Sequence, residues 1–414
     1  MNAHVQIPAE FAYWQNIDKP RHQRRRKAIK GIFGVDPQLP DDKVRLWAQS
    51  YYDADPVAEA FVEEVYMKRG QAEGRKMVDQ ALDKGAGSVS GAPASLRKLF
   101  DEFETDPDWL DRRLVEQGAR VFRRFGTHMF SYAGAVTLEG YWENSVAKPL
   151  AFTGAYTGES ANRRFLETCG FWIDVAQPGA MFAGGQGRKT AMRVRLMHVF
   201  VRKRLLQHPQ WDLAAWGVPI SQGDALLTLL AGSVVPGTAF KAMGYRTSDE
   251  EILAMMHFWR YIGHIMGVQP RFHPSTIQEA MGIMFASTVK GVRKAGEDAR
   301  NLAHSYVESY APREDQKGLE RILQQLEYWK ELGYTRFFLP GKTYTDFDLP
   351  RAGLLRLYPL AQAPFILARE GARRYVPGAD DLYDRAIRWY ARKWLDRHLG
   401  PRRAEYKAVE EFTR

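Results

Sequence analysis

The stretch "MRVRLMHVFVRKRLL", residues 192–206, sets one histidine, His198, among arginines and a lysine. Ala191, Val194, His198, Val201 and Leu205 follow the 3, 4, 3, 4 spacing of a buried helical seam, so His198 takes a core position. A polar ring there needs a partner, because leaving it unbonded away from water is costly. Arg195 and Arg202 stand three residues before and four after it, and at roughly 100° per residue both fall within about 60° of it on the same flank. Two readings follow. In one, His198 is a core histidine bonded to a backbone carbonyl, with the arginines reaching solvent. In the other it ligates a metal whose anionic surroundings the arginines neutralise. Haem suits the second, since its iron takes an axial imidazole and its propionates take Arg forks. Non-haem sites suit it less, because this helix offers no second His or carboxylate at ligand spacing.

A second group lies in "ANRRFLETCGFW", where Arg164, Glu167, Thr168 and Phe171 span about 100° of one helical face. A cation, a carboxylate, a hydroxyl and a ring there could be a surface ion pair or, facing a haem, a sixth ligand or proton relay. His257 and His264 stand two turns apart, about 10 Å, which is too far to chelate one ion and suits helix packing. "GGQGRKT" at 184–190 is not a phosphate loop, because Arg188 separates glycine from lysine and no strand precedes it; it reads as a glycine-rich turn into the His198 helix. No nucleophile elbow, His-Glu-x-x-His, kinase or dinucleotide fingerprint is found.

The elements that must hold these groups are helical. "DPDWLDRRLVEQGARVFRRF" opens with Asp106 as N-cap and Pro107 at the first turn. Ser248 with Glu251, and Ser275 with Gln278, have capping-box spacing ahead of apolar periodic runs. Alternating strand patterns are nearly absent, so the fold is expected to be all-α. The chain has 414 residues, 45% of them hydrophobic, and shows no internal repeat. The small-residue loop at 84–95 separates a helical N-terminal region from the rest. A basic N-terminal extension over 1–30 and one helical domain over 31–414 are expected.

The remaining composition bounds the setting. A single cysteine, Cys169, rules out an internal disulfide and any Cys-rich zinc site, which suits the cytoplasm. The N-terminus does not read as a signal peptide. The apolar windows 225–240 and 357–368 are shorter than the roughly 20 residues of a bilayer span and carry prolines. The formal charge of +10 gathers in runs at 21–30, 193–204 and 385–403. These read as solvated helix faces; an anionic membrane surface is the partner weighed for the C-terminal run, where Ile387, Tyr390 and Trp394 alternate with Arg388, Arg392 and Arg397, and nucleic acid is not expected.

The sequence also resembles a known family. "MRVRLMHVFVR", with "RRFLET" and "KPLAFTGAY" before it and "DEEILAMMHFWRYIGHIMGV" after it, is similar to the catalytic domain of rubber oxygenases, the latex clearing proteins and MpaB-type oxygenases. The likeness covers roughly residues 100–375 and rests on Arg-x-x-x-Thr plus Arg-x-x-His-x-x-x-Arg. It implies a globin-like helical core, a non-covalent b-type haem and oxygenative cleavage of carbon–carbon double bonds in isoprenoid chains. It makes His198 the proximal ligand, places Arg164 and Thr168 on the distal side and supplies Arg195 and Arg202 as the motif arginines. Two departures stand out. Some rubber-cleaving members carry a ligating lysine where this chain has Glu167, and the glutamate they use as proton acceptor is replaced nearby by Lys148, with Glu139 and Glu143 as substitutes. The expectation is a cytoplasmic haem oxygenase for a small or membrane-dissolved unsaturated lipid; the alternative is a haem-binding or membrane-surface protein without turnover, in which Glu167 caps the iron.

Overall fold

The computed structural model describes residues 6–154 and 159–400, and the side chains of all of these except 159–162. Residues 155 and 156 of the quoted motif and 401–403 of the third basic run lie outside them. The described residues form helices and connecting turns with no strand, as the absence of alternating patterns predicted. In chain order the helices that build the site are α1 (Pro20–Phe33), α2 (Pro56–Phe61), α3 (Ala94–Glu104), α4 (Arg112–Arg124), α5 (Thr127–Gly140), α6 (Asn144–Phe152) and α7 (Glu159–Val175). They continue with α8 (Gln186–Leu206), α9 (Gln222–Ala231), α10 (Asp249–Ile265), α11 (Ile277–Lys290), α12 (Gly318–Phe338) and α13 (Ala379–Leu399). Further helices and turns join them. The boundary expected at residue 30 falls inside α1.

Local chemistry explains most of the helix ends. Ser248 and Glu251 form the complete capping box that starts α10. Glu251 also takes both Arg124 Nη1 and Nη2, at 2.6 and 3.0 Å, which ties α4 to α10. Two caps differ from expectation. Helix α4 starts at Arg112, and Asp111 is its N-cap, accepting from the amides of Arg113 and Leu114. Asp106 is drawn away by stronger donors: the Tyr261 hydroxyl at 2.7 Å, Arg112 at 2.7 Å and Arg188 at 3.2 Å. Helix α11 is capped one residue later than the Ser275 spacing suggests, by Thr276, while Glu279 reaches back to the Ser275 amide at 2.8 Å.

One core joins all of these helices. Glycines permit its closest approaches. A Cβ on Gly118 of α4 would lie 2.1 Å from the Ala254 carbonyl oxygen of α10, and one on Gly187 of α8 would lie 2.7 Å from the Val175 Cα of α7. Residues 222–243, longer than the apolar window read from the sequence, have the length and composition to cross a membrane; 56% of the most apolar window is buried inside the protein.

Candidate active site

Helices α7 and α8 touch where Val175 meets Gly187 and form two walls of a cavity of about 1040 Å³. That is at the upper end of the range for small-molecule sites. Arg164, Glu167, Thr168, Phe171 and Trp172 line it from α7; Val194, Met197, His198 and Val201 line it from α8. The two groups that stood apart in the sequence therefore share one space. The rest of the lining is mainly hydrocarbon, including Leu227 of α9 and Met281, Met284 and Phe285 of α11.

His198 keeps the seam position but faces the cavity rather than closed core. Its neighbours along the stripe, Ala191, Val194 and Leu205, are buried, while the imidazole is only partly covered by protein. Burial, with the Arg202 charge second, lowers its pKa to about 4, so the ring is neutral near pH 7 and keeps a lone pair. No hydrogen bond joins it to any described residue. The carbonyl partner that a purely structural histidine would need is missing.

The flanking arginines do something else. Arg195 is buried and donates through Nε to Asp55 Oδ2 at 2.7 Å, through Nη2 to Asp55 Oδ1 at 2.9 Å, and to Glu102 Oε1 at 2.6 Å. Asp55 caps α2, so this bidentate pair locks α8 to the N-terminal helices. It lies against Gly267, where a Cβ would sit 2.2 Å from Asp55 Oδ2. Arg202 donates to the carbonyls of Pro219 at 3.0 Å and Ile220 at 2.6 Å and pairs with Glu59 at 3.4 Å. Ile220, whose side chain reaches the cavity, holds φ at +51°, a strained value for a β-branched residue. Neither guanidinium lines the cavity, so both brace the wall rather than waiting for an anion within it.

Comparison with known proteins places this architecture. The family model described as "ER-bound oxygenase mpaB/B'/Rubber oxygenase, catalytic domain" matches residues 119–363. The chain belongs to this family. Over 250 residues it is 27% identical to the rubber oxygenase of Streptomyces sp. (strain K30), a stretch that is 59% of this chain and 57% of that protein. The chain thus spans little more than half the length of this curated relative. The structure of latex clearing protein in the closed state superposes with a TM-score of 0.60 at 20% identity, over 87% of this chain and 93% of that one, a likeness of fold.

Within this rubber oxygenase-like core, the other expected residues take definite places. Glu167 is buried and accepts from Arg163 Nε at 3.3 Å. The Thr168 hydroxyl donates back to the Arg164 carbonyl at 3.1 Å. Lys148 pairs with Asp298 at 2.6 Å and does not line the cavity, whereas Glu139 and Glu143 do. Glu143 is held by Lys290 at 3.1 Å and Glu139 by Arg293 at 3.1 Å.

Two lining features escaped the sequence reading. Asp224 of α9 is half-buried on the cavity wall, and desolvation there raises its pKa; the Ser221 hydroxyl donates to it at 3.0 Å. Its signal was a lone acid in the apolar run "SQGDALLTLL". Helix α1, read as a solvated basic run, contributes Arg21, His22, Arg25, Ile29 and Phe33. The i, i+4, i+8, i+12 recurrence of Arg21, Arg25, Ile29 and Phe33 was the available signal.

Proposed function

We propose that this protein is a haem b-dependent oxygenase acting on an unsaturated lipophilic compound of isoprenoid type, with His198 as the proximal ligand. One observation carries the reading: a neutral imidazole with no hydrogen bond to any described residue projects into a large, mostly apolar cavity of an oxygenase-family fold. The donor set fits a b-type haem, because a neutral His198 would supply a nitrogen ligand and the hydrocarbon walls would suit the macrocycle. Bound there, haem supplies the redox-active iron on which dioxygen chemistry depends.

The chain's own residues divide the remaining work. On α7, Arg164 and the Thr168 hydroxyl orient polar groups within the cavity by charge-assisted and neutral hydrogen bonds. Glu167 holds or passes a proton at its carboxylate. The walls from α9 and α11 take the alkene and exclude water. Purified wild type should show a Soret band that His198→Ala loses; equal haem content in the two proteins would remove the assignment.

Glu167 also favours the second reading, a haem protein without turnover. A sample with a Soret band that consumes no oxygen with squalene or shorter polyenes would select it. Peripheral membrane contact belongs to the same proposal. Phe365 and Trp389 are 79% and 64% exposed, the first on the helix Ala363–Tyr375 that packs against the arginine-rich α13 and the second on α13 itself, and co-sedimentation with anionic vesicles tests it. Work in the cytoplasm without nucleic acid is supported by the lone buried cysteine and by the second basic run, whose Arg193, Arg195, Arg202 and Lys203 already face acids.

A further inference from the structure

The ion pairs of Arg195 and Arg202 leave open which cation meets an acidic ligand. The positive groups on the cavity lining are nearly all engaged. Lys290 pairs with Glu143 at 3.1 Å, Arg293 with Glu139 at 3.1 Å and Asp346 at 2.9 Å, and Lys342 with Asp346 at 2.8 Å. Arg21 Nε donates to His22 Nε2 at 2.8 Å, and Arg164 has partners of its own. Arg25 differs: among the described residues it makes no hydrogen bond or ion pair, although it lines the cavity with an exposed side chain. His22 beside it gives no compensating charge and no extra repulsion, because burial first and Arg21 second lower its pKa to about 4.

The helix that presents Arg25 is fixed in place. Arg26 on its outer side makes a bidentate pair with Asp36, both contacts at 2.7 Å, and Gln23 donates to the Ile17 carbonyl at 2.9 Å. One turn and two turns after Arg25, Ile29 and Phe33 continue the same face with hydrocarbon. Arg25 keeps accessible surface where it lines the cavity, so its donors are open, and a carboxylate would accept from them in bidentate form. A cation beside an apolar surface matches a molecule with an acid at one end and hydrocarbon beyond.

We propose that Arg25 is the carboxylate-binding residue for the molecule held in the cavity. The carboxylate has two sources with the same chemistry: a porphyrin propionate, in which case the inference rests on the haem reading, or the acid headgroup of an unsaturated lipid substrate, in which case it narrows the substrate class to acids.

Acid and ester pairs separate the two. Purified full-length wild type, Arg25→Gln and Arg25→Lys are titrated with haemin and haemin dimethyl ester, read by Soret absorbance. They are also titrated with farnesoic acid and methyl farnesoate, read by fluorescence of Trp142, Trp172 and Trp259, which line the cavity. If propionate is the source, Arg25→Gln weakens haemin by about tenfold or more, about 1.4 kcal/mol, leaves the dimethyl ester unchanged, and Arg25→Lys recovers part of the loss. If the headgroup is the source, that pattern appears for farnesoic acid against its methyl ester instead. Wild type that binds neither porphyrin removes the haem reading and leaves the lipid pair to decide Arg25. Equal affinities of wild type and Arg25→Gln for all four probes, with unchanged circular dichroism and Tm, overturn the proposal.

Discussion

The two flanks of α8 carry similar chemistry to opposite ends. Toward the N-terminal helices, Arg195 and Arg202 have nearly every donor placed on a carboxylate or carbonyl. Toward the cavity, His198 has no hydrogen-bond partner among the described residues. Saturated polar groups in low dielectric fix a structure, whereas an unsaturated one marks where something else must bind. The arginines nearest the histidine in sequence are therefore the frame, and many of the polar residues that share its cavity come from other helices, α1, α7 and α9 among them.

This contrast can be broken in order of expected effect. Arg195→Ala should cost about 3–5 kcal/mol of folding stability by chemical denaturation, because it strands the buried Asp55 carboxylate; a loss below about 1 kcal/mol would show the pair to be incidental. Arg202→Gln should cost about 1–3 kcal/mol, since it frees the strained Ile220 turn and two carbonyls. His198→Ala should change stability of the haem-free chain by less than about 1 kcal/mol, because no hydrogen bond is lost and the space adjoins an existing cavity. A penalty comparable with that of Arg195→Ala would make His198 a packing residue.

A further effect is in pH. Burial is the first cause lowering the His128 and His273 pKa values to about 4, below the ordinary 6.5. The unfolded chain then binds more protons between these values, so their contribution is complete above about pH 6.5 and is lost as pH falls toward 4. His128→Gln should flatten the fall in Tm between pH 6.5 and 4.5; an unchanged slope would contradict burial of the neutral ring.

Short-range signals survived from sequence to structure where one local geometry had no rival. The Ser248 and Glu251 box and the His198 seam depend only on spacing along a helix, and both were legible. Asp106 was misread because two partners from distant chain segments, Tyr261 and Arg188, together with Arg112, take up its carboxylate. The partners of Arg195 and Arg202 were out of reach for the same reason: Asp55 and Glu59 lie about 140 residues upstream, on elements the spacing does not locate. Helix α1 was hidden by composition, since a run of arginines looks alike whether it meets water or a cavity.

The contact between Gly187 and Val175 has a geometric sequel. Two rods pinned together near one end enclose a wedge, and the angle between them governs how thick a slab fits further out, where Thr168 and His198 project. A single methyl group added at residue 187 would act as a shim at the apex, altering the clearance at the histidine several turns away without touching any residue in the slot. Tolerance for ligand thickness is thus set by backbone contact at the narrow end and not by the side chains that meet the ligand.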